Sequence, residues 1–372
     1  MVRFRWASLL LVAALGGTGG GASSAAAPPT QEILRLPGTP VLTAAFAGPA
    51  VLWGNSSLDP PVLFRFERGA SRPIWRGREV ALPEGQPVGS HVMQSIAGLS
   101  ASRSAAAFVY RAGVALPPGC DFCYRPLFSE LWVGPPRGPF RRVRGLPSRC
   151  RVFEALDAAA ADVLVAERPT PCGEPRQVSA RIVSVPIRPA GRRSVLAQSR
   201  AFSYQSVAAA GRYVAWDRFP NDCSVRTFPC SRAGVVLYDR RSRAVALRLN
   251  AKQLRVSGTP SFSLALQPDG KLAVASIGKL AWTSPSSPRP HFVPGRPLDA
   301  YLAASADWFV FLTRDEDALQ ATDVAGRRQA LDTFDLRHWF GRTLDASGGR
   351  VLWTAETDPL APSTAIFVAP LR

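Results

Sequence analysis

The chain has 372 residues, 47% hydrophobic and 19% charged, with 34 Pro and 30 Gly, a composition that excludes a disordered tail and a collagen-like fibre. Beyond the N-terminus no apolar run reaches the ~20 residues of a membrane-spanning helix. The formal net charge of +18 is carried by 42 Arg and 3 Lys, and this preference for Arg fits the coding bias of a GC-rich genome; its distribution, with 36 basic and 16 acidic residues from Pro28 to Leu298 against 7 and 11 from Asp299 to Arg372, argues for attraction to polyanions or anionic surfaces.

In chain order, Arg3 and Arg5, an apolar stretch from Trp6 to Leu15 and a Gly/Ala-rich segment ending at Ala27 have the three zones of a secretory signal. The reading is a signal peptide over residues 1–27, cleaved around Ala22 to Ala27, and a mature domain over 28–372, secreted or held in the cell envelope without a transmembrane anchor. Next comes QEILRLPG from Gln31, an alternating apolar strand with no unit of its own.

A repeat then runs to the C-terminus: a short apolar strand, a tight turn with Gly, Asp or Ser, a second strand usually holding an aromatic residue, a variable loop, and a third alternating strand. Its first two strands read VLTAAFAGPAVLWGN from Val41, IAGLSASRSAAAFVYR from Ile96, FEALDAAAADVLVAER from Phe153, YQSVAAAGRYVAWDR from Tyr204, FSLALQPDGKLAVAS from Phe262, YLAASADWFVFLTRD from Tyr301 and TLDASGGRVLWTAET from Thr343. The third strands follow at Val62, Phe128, Ala180, Gly234, Lys279, Ala318 and Ala365. A spacing of roughly 40 to 55 residues, with alternation of period two and almost no helical periodicity, predicts an all-β single propeller of about seven four-stranded blades. The last unit stops at Arg372 after its third strand. Glu32 to Leu36 is therefore expected to supply the missing outer strand and close the ring by pairing the N-terminal strand with the last blade.

LQPDGKLAVAS, from Leu266 to Ser276, resembles the turn-and-strand signature of TolB-like propeller repeats, distant relatives of WD-repeat blades. SGGRVLW at Ser347, AAGRYVAW at Ala209 and SADWFVF at Ser305 share its frame. The likeness implies the fold over nearly the whole mature chain; the chain departs from it in its long Cys-bearing loops and in the unit count, since TolB-type propellers usually have six blades. Function does not follow from it, because propellers host binding, scaffolding and catalysis alike.

Blade geometry sorts the chemistry onto two faces. Cys120 and Cys123, Cys172, and Cys223 and Cys230 fall in second-to-third-strand loops, and Cys150 in a connection between units, so all six belong to one face. An even set in an exported chain is a disulfide set. Cys223 with Cys230, Cys150 with Cys172 and Cys120 with Cys123 is the expected pairing, the last pair being open between a local ring and a redox-active CxxC. The arginines fall on the opposite face, in or beside third-to-fourth-strand turns: Arg68 and Arg72, Arg192 and Arg193, Arg240, Arg241 and Arg243, and Arg327 and Arg328, with Arg137, Arg141, Arg142 and Arg144 close to another. These are candidate anion-binding residues, through bidentate guanidinium contacts.

The sequence has no GxSxG, HExxH, P-loop or strand-borne GxGxxG, and its three histidines, His91, His291 and His338, are isolated, so no catalytic residue, cofactor or metal ligand is assigned. Carboxylates on the cysteine face, Glu167, Glu174, Asp217 and Asp222, keep a carbohydrate-active propeller enzyme as the alternative. The run Asp315, Glu316 and Asp317 lacks the glycine-spaced loop of a calcium site, and Asn55-Ser56-Ser57 matches a glycosylation sequon. Export and the lack of a reader motif count against nucleic acid. The expected function is that of a monomeric binding or scaffold module whose partner is an anionic envelope polymer or another protein.

Overall fold

The computed structural model describes residues 30–37, 41–55, 60–115, 124–147, 151–169, 178–223, 230–256, 261–276, 278–293, 297–305, 307–313, 318–333, 340–356 and 363–372. These form 29 strands in seven antiparallel sheets. After β1 (Gln31–Pro37), blade 1 is β2 (Val41–Ala47), β3 (Ala50–Asn55), β4 (Val62–Glu67) and β5 (Ala70–Arg76). Blade 2 is β6 (His91–Ala101), β7 (Ala106–Ala115), β8 (Tyr124–Gly134) and β9 (Arg141–Arg142), and blade 3 is β10 (Arg151–Ala158), β11 (Asp162–Pro169), β12 (Ala180–Pro186) and β13 (Ser194–Ser199). Blade 4 comprises β14 (Phe202–Ser203), β15 (Val207–Ala210), β16 (Tyr213–Pro220), β17 (Gly234–Asp239) and β18 (Ala244–Asn250). Blade 5 is β19 (Ser263–Leu266), β20 (Leu272–Ser276), β21 (Lys279–Ser284) and β22 (Ser287–Val293); blade 6 is β23 (Pro297–Ser305), β24 (Trp308–Thr313), β25 (Ala318–Asp323) and β26 (Arg328–Thr333). Blade 7 combines β27 (Phe340–Ser347), β28 (Arg350–Glu356) and β29 (Ser363–Pro370) with β1 as its outer strand.

The ring therefore closes as the repeat predicts, with Glu32 opposite Phe367 and Leu36 opposite Thr364. The chain's own break lies inside a sheet, between β29 and β1, so opening the ring means parting a β ladder and not merely two packed faces. Every junction between neighbouring blades holds one apolar cluster, seven in all. This explains why second strands such as AVLWGN and WFVFLT are buried at every position: each lies mid-sheet with a blade on either side.

Tight turns set the hairpins. In the PDGK turn Gly270 adopts φ 89°, and an added Cβ would lie 2.8 Å from the Tyr213 ring of blade 4, so glycine satisfies both the turn and the close approach.

Two local readings are corrected. The inner strand of blade 4 is broken into β14 and β15, because Asp217 Oδ1 accepts the amides of Gln205 and Ser206 at 2.7 and 3.0 Å and draws the chain out of the ladder. Asn55 is 4% exposed, so the sequon asparagine is buried at the end of β3 and not presented as a glycan acceptor. Among the described residues no helix is long and apolar enough to cross a membrane.

Candidate functional site

The innermost strands surround a central cavity of about 870 Å³. Its wall is unusually short-chained, because the residues just before each first turn are mostly alanine: Ala44 and Ala45 in blade 1, Ala208 and Ala209 in blade 4, Ala303 and Ala304 in blade 6. Small side chains leave the middle of the ring open. The first-turn residues Ser102, Arg103 and Gly211 also line the cavity, so it opens on the face that carries the first-to-second and third-to-fourth turns.

Two carboxylates stand in this short-chained wall, Asp157 on β10 and Asp345 on β27, each in a Leu-Asp-Ala sequence ahead of its turn. Asp345 Oδ2 accepts the Phe46 amide of blade 1 at 2.7 Å, and Oδ1 accepts the Ala346 amide at 2.8 Å. Asp157 Oδ2 accepts the Ala209 amide of blade 4 at 2.7 Å, and Oδ1 accepts the Ser100 hydroxyl of blade 2 at 2.7 Å. Burial pushes Asp345 up to about 6 against the pull of its amide donors, with the Asp157 charge adding to the rise. Burial likewise raises Asp157, opposed by Ser100, by the Ala209 and Ala158 amides and by the Arg240 charge. Both side chains are thus committed to tying blades together at the cavity wall. The sequence reading missed them because an Asp in an alternating strand reads as a solvent-facing residue; the repeated Leu-Asp-Ala triplet was the available signal.

The arginine candidates belong to the turns between third and fourth strands on this same face and are not part of the cavity's lining. Arg68 occupies the β4–β5 turn and Arg72 β5; Arg192 and Arg193 the β12–β13 turn; Arg240, Arg241 and Arg243 the β17–β18 turn; Arg327 the β25–β26 turn, with Arg328 beginning β26. Three are occupied structurally. Arg193 donates to the Arg144 carbonyl at 2.9 Å, linking blades 3 and 2, and Arg240 pairs with Asp162 at 2.5 Å, linking blades 4 and 3. Arg327 pairs with Asp323 at 2.6 Å within blade 6. The guanidinium groups of Arg68, Arg72, Arg192, Arg241, Arg243 and Arg328 are exposed and make no hydrogen bond to a described residue. Arg68 and Arg243 take φ 54° and 55°, the left-handed conformation that holds each at the tip of its hairpin. Neighbouring Arg137 lies 3.9 Å from Glu67, while Arg142 pairs with Glu130 at 2.9 Å and Arg141 donates to the Pro186 carbonyl at 2.6 Å.

The opposite face carries the β16–β17 loop. Cys223 and Cys230 form a disulfide that closes the β16–β17 loop. Cys120, Cys123, Cys150, Cys172, Glu174, Asp315, Glu316, Asp317 and His338 lie outside the described residues. Glu167 and Asp217 are buried on β11 and β16, apart from the central cavity's lining. Burial pushes Asp217 up to about 7 against the Ser206 and Gln205 amides, whose bonds hold the β14–β15 break. Asp222 is exposed and pairs with Arg232. No group of three or more metal-ligating side chains occurs among the described residues.

Comparison with known proteins places the fold and stops there. No family model matches the sequence, and no curated protein is significantly similar to it. Similar solved structures include the WD40 domain of Neurospora crassa Pan2, at TM-score 0.52 and 12% identity over 92% of this chain and 96% of that one. The β-propeller domain of the Trilobed protease from Pyrococcus furiosus, which has an open velcro topology, gives TM-score 0.53 and 10% identity over 89% and 95%. The acylaminoacyl peptidase of Pyrococcus horikoshii gives 0.53 and 10% over 90% of this chain, which spans 52% of that larger protein. WD40 and peptidase propellers alike thus share the ring.

Proposed function

We propose that the chain is a secreted or envelope-associated binding module that engages an anionic envelope polymer through its turn-bearing face. The observation that carries this reading is the collar of six exposed arginines, contributed by blades 1, 3, 4 and 6 to the turn-bearing face and without a hydrogen bond to any described residue. Guanidinium groups on short turns of a rigid ring offer several charge-assisted contacts to a polymer of repeating negative charge, at little ordering cost to the protein. The signal-like N-terminus over residues 1–27 and the Cys223–Cys230 disulfide support an oxidising, extracytoplasmic setting.

The test is binding of the mature protein to dextran sulfate, with neutral dextran as the control. Binding is expected only to the sulfated chain and to weaken steeply as salt rises. Replacing Arg192, Arg241 and Arg243 together by Ser should reduce both affinity and salt dependence, with stability moving by no more than about 0.5 kcal/mol. Equal binding to both dextrans, or no change in the triple variant, overturns the reading.

A further inference from the structure

A second cavity, of about 200 Å³, lies in blade 4 toward the cysteine face and is lined by Arg218, Arg232, Arg248, Asn250 and Gln253 over a floor that includes Val236. The strand register explains the convergence. Trp216 stands opposite Val236 and Val236 opposite Arg248; in the next row Arg218 stands opposite Gly234 and Gly234 opposite Asn250. Trp216 and Val236 belong to the cluster packed against blade 3, so the alternation of β16 and β18 sends Arg218 and Arg248 to that same side. Glycine at 234 puts no side chain between Arg218 and Asn250.

Every polar group available there is a donor. Asn250 and Gln253 spend their carboxamide oxygens on each other's backbone N–H groups, both at 2.9 Å, so the polar capacity that remains on them is that of NH2 donors. Arg218 is half-buried, stacks 4.5 Å over the Phe202 ring, and makes no hydrogen bond or ion pair to a described residue; the same lack of a partner holds for Arg248. Among the described residues only Arg232 has a counter-ion, Asp222 at 2.7 Å. Burial and the neighbouring Arg248 charge both act to lower the Arg218 pKa. Three guanidinium groups with one carboxylate leave two positive charges uncompensated among the described residues. The Cys223–Cys230 disulfide closes the β16–β17 connection and so holds the neighbouring Asp222 and Arg232 together beside the cavity.

We propose that this cavity is a binding site for a dianionic tetrahedral oxyanion, a phosphate or sulfate group, held by Arg218, Arg232 and Arg248. The charge sets the class: two negative charges balance the site, whereas a monocarboxylate leaves one cation unmatched and cannot engage three guanidinium forks at once. This site is on the opposite face from the arginine collar and is independent of it.

Calorimetric titration of the mature protein with sodium phosphate, sodium sulfate and sodium acetate at constant ionic strength tests the assignment. Saturable one-to-one binding of phosphate or sulfate is expected, with the tighter of the two naming the group. Arg248→Gln, on an exposed outer strand, and Arg218→Gln should each weaken it roughly tenfold or more. Arg192→Gln, in the collar, should leave it unchanged, so failure here and failure of polymer binding are read separately. Melting curves without anion show whether each variant is folded; Arg218→Gln contributes only if it is, and Arg248→Gln carries the test otherwise. Absence of saturable phosphate and sulfate binding at millimolar concentrations, acetate binding as tightly as either, or undiminished binding by folded Arg248→Gln overturns the proposal.

Discussion

The junction between blades 3 and 4 and the junction between blades 7 and 1 are built on the same device, yet they differ in how many side chains span them. Both place an aspartate before the first turn of the earlier blade and aim it at an inner-strand amide of the later one, Asp157 to Ala209 and Asp345 to Phe46. Between blades 7 and 1 two further bonds join in: Thr343 Oγ1 accepts the Ala44 amide at 3.3 Å and Arg350 donates to the Gly48 carbonyl at 2.8 Å. Between blades 3 and 4 the added link is the Arg240–Asp162 ion pair. The richer set adjoins the blade that contains the break in the chain. Its apolar cluster also draws on β1, through Ile33, Leu34 and Leu36 against Phe46, Leu352 and Ile366. Closure thus combines a paired strand, a shared core and three polar contacts beside a blade assembled from both ends of the chain, whereas blade 3 is one continuous stretch of chain.

The largest expected effect comes from removing the paired strand. Deleting residues 31–37 strips the ladder from β29 and uncovers the cluster it shares with blade 1. Burial at roughly 25 cal/mol per Å² and about 1 kcal/mol per lost hydrogen bond together put the loss on the order of 5 kcal/mol. Calorimetry should show a broadened, non-two-state melt shifted down by 10 °C or more, at roughly 2 °C per kcal/mol for a chain this long. A sharp melt at the original temperature would show that the blades cohere without the strand.

The next effect separates the two junctions directly. Asp345→Ala leaves the Phe46 and Ala346 amides without their carboxylate acceptor, a cost of about 2–4 kcal/mol, since unsatisfied buried donors pay their full desolvation. Asp157→Ala leaves the Ala209 amide unmet, but the Ala158 amide still donates to Ser100 Oγ at 2.9 Å. Chemical denaturation should therefore rank Asp345→Ala as the more damaging of the two. The reverse order would mean that the remaining Ser100 acceptor does not make up for the lost carboxylate.

The circular arrangement was legible because each first hairpin repeats a strand, a tight turn and a strand with an aromatic, and because one unit lacked a strand that the N-terminus supplied. The Arg68, Arg192 and Arg241 turns lie between third and fourth strands, where the same frame puts them. What the frame did not show was which polar residues turn inward. Asp157, Asp345 and Asp217 obey the alternation of their strands, but amides presented by neighbouring segments decide whether such a carboxylate meets water or protein, and those amides come from residues as distant as Phe46 is from Asp345. Arg218 and Arg248 escaped for the same reason: their convergence depends on the register of β16, β17 and β18, which no single segment encodes.

The smallest effect expected is a dependence of stability on pH, and its sign distinguishes these inward aspartates from ordinary surface carboxylates. Asp345 is raised to about 6 and Asp217 to about 7 in the folded protein, and Asp157 is raised as well, chiefly by burial in each case. A carboxyl group whose folded value exceeds its unfolded one binds a proton more readily in the folded state. Its contribution is greatest below the ordinary value of about 4 and is lost as pH rises through the folded value. The melting temperature should thus rise as pH falls from 8 to 5. Carboxylates held low by their partners, such as Asp323 beside Arg327, act in the opposite sense and reduce stability only below about pH 4. A shift of roughly two units for Asp345 corresponds to at most about 3 kcal/mol, so Asp345→Asn, which cannot titrate, should flatten the slope between pH 7 and 5 relative to the parent protein. Comparing the two slopes cancels the general repulsion that acid adds to so basic a chain, since both proteins carry it equally. A melting temperature that is highest at pH 8 in both would mean that the amides of Phe46 and Ala346 outweigh burial and hold Asp345 ionised throughout. The clamp between blades 7 and 1 would then be a fixed negative charge insensitive to pH.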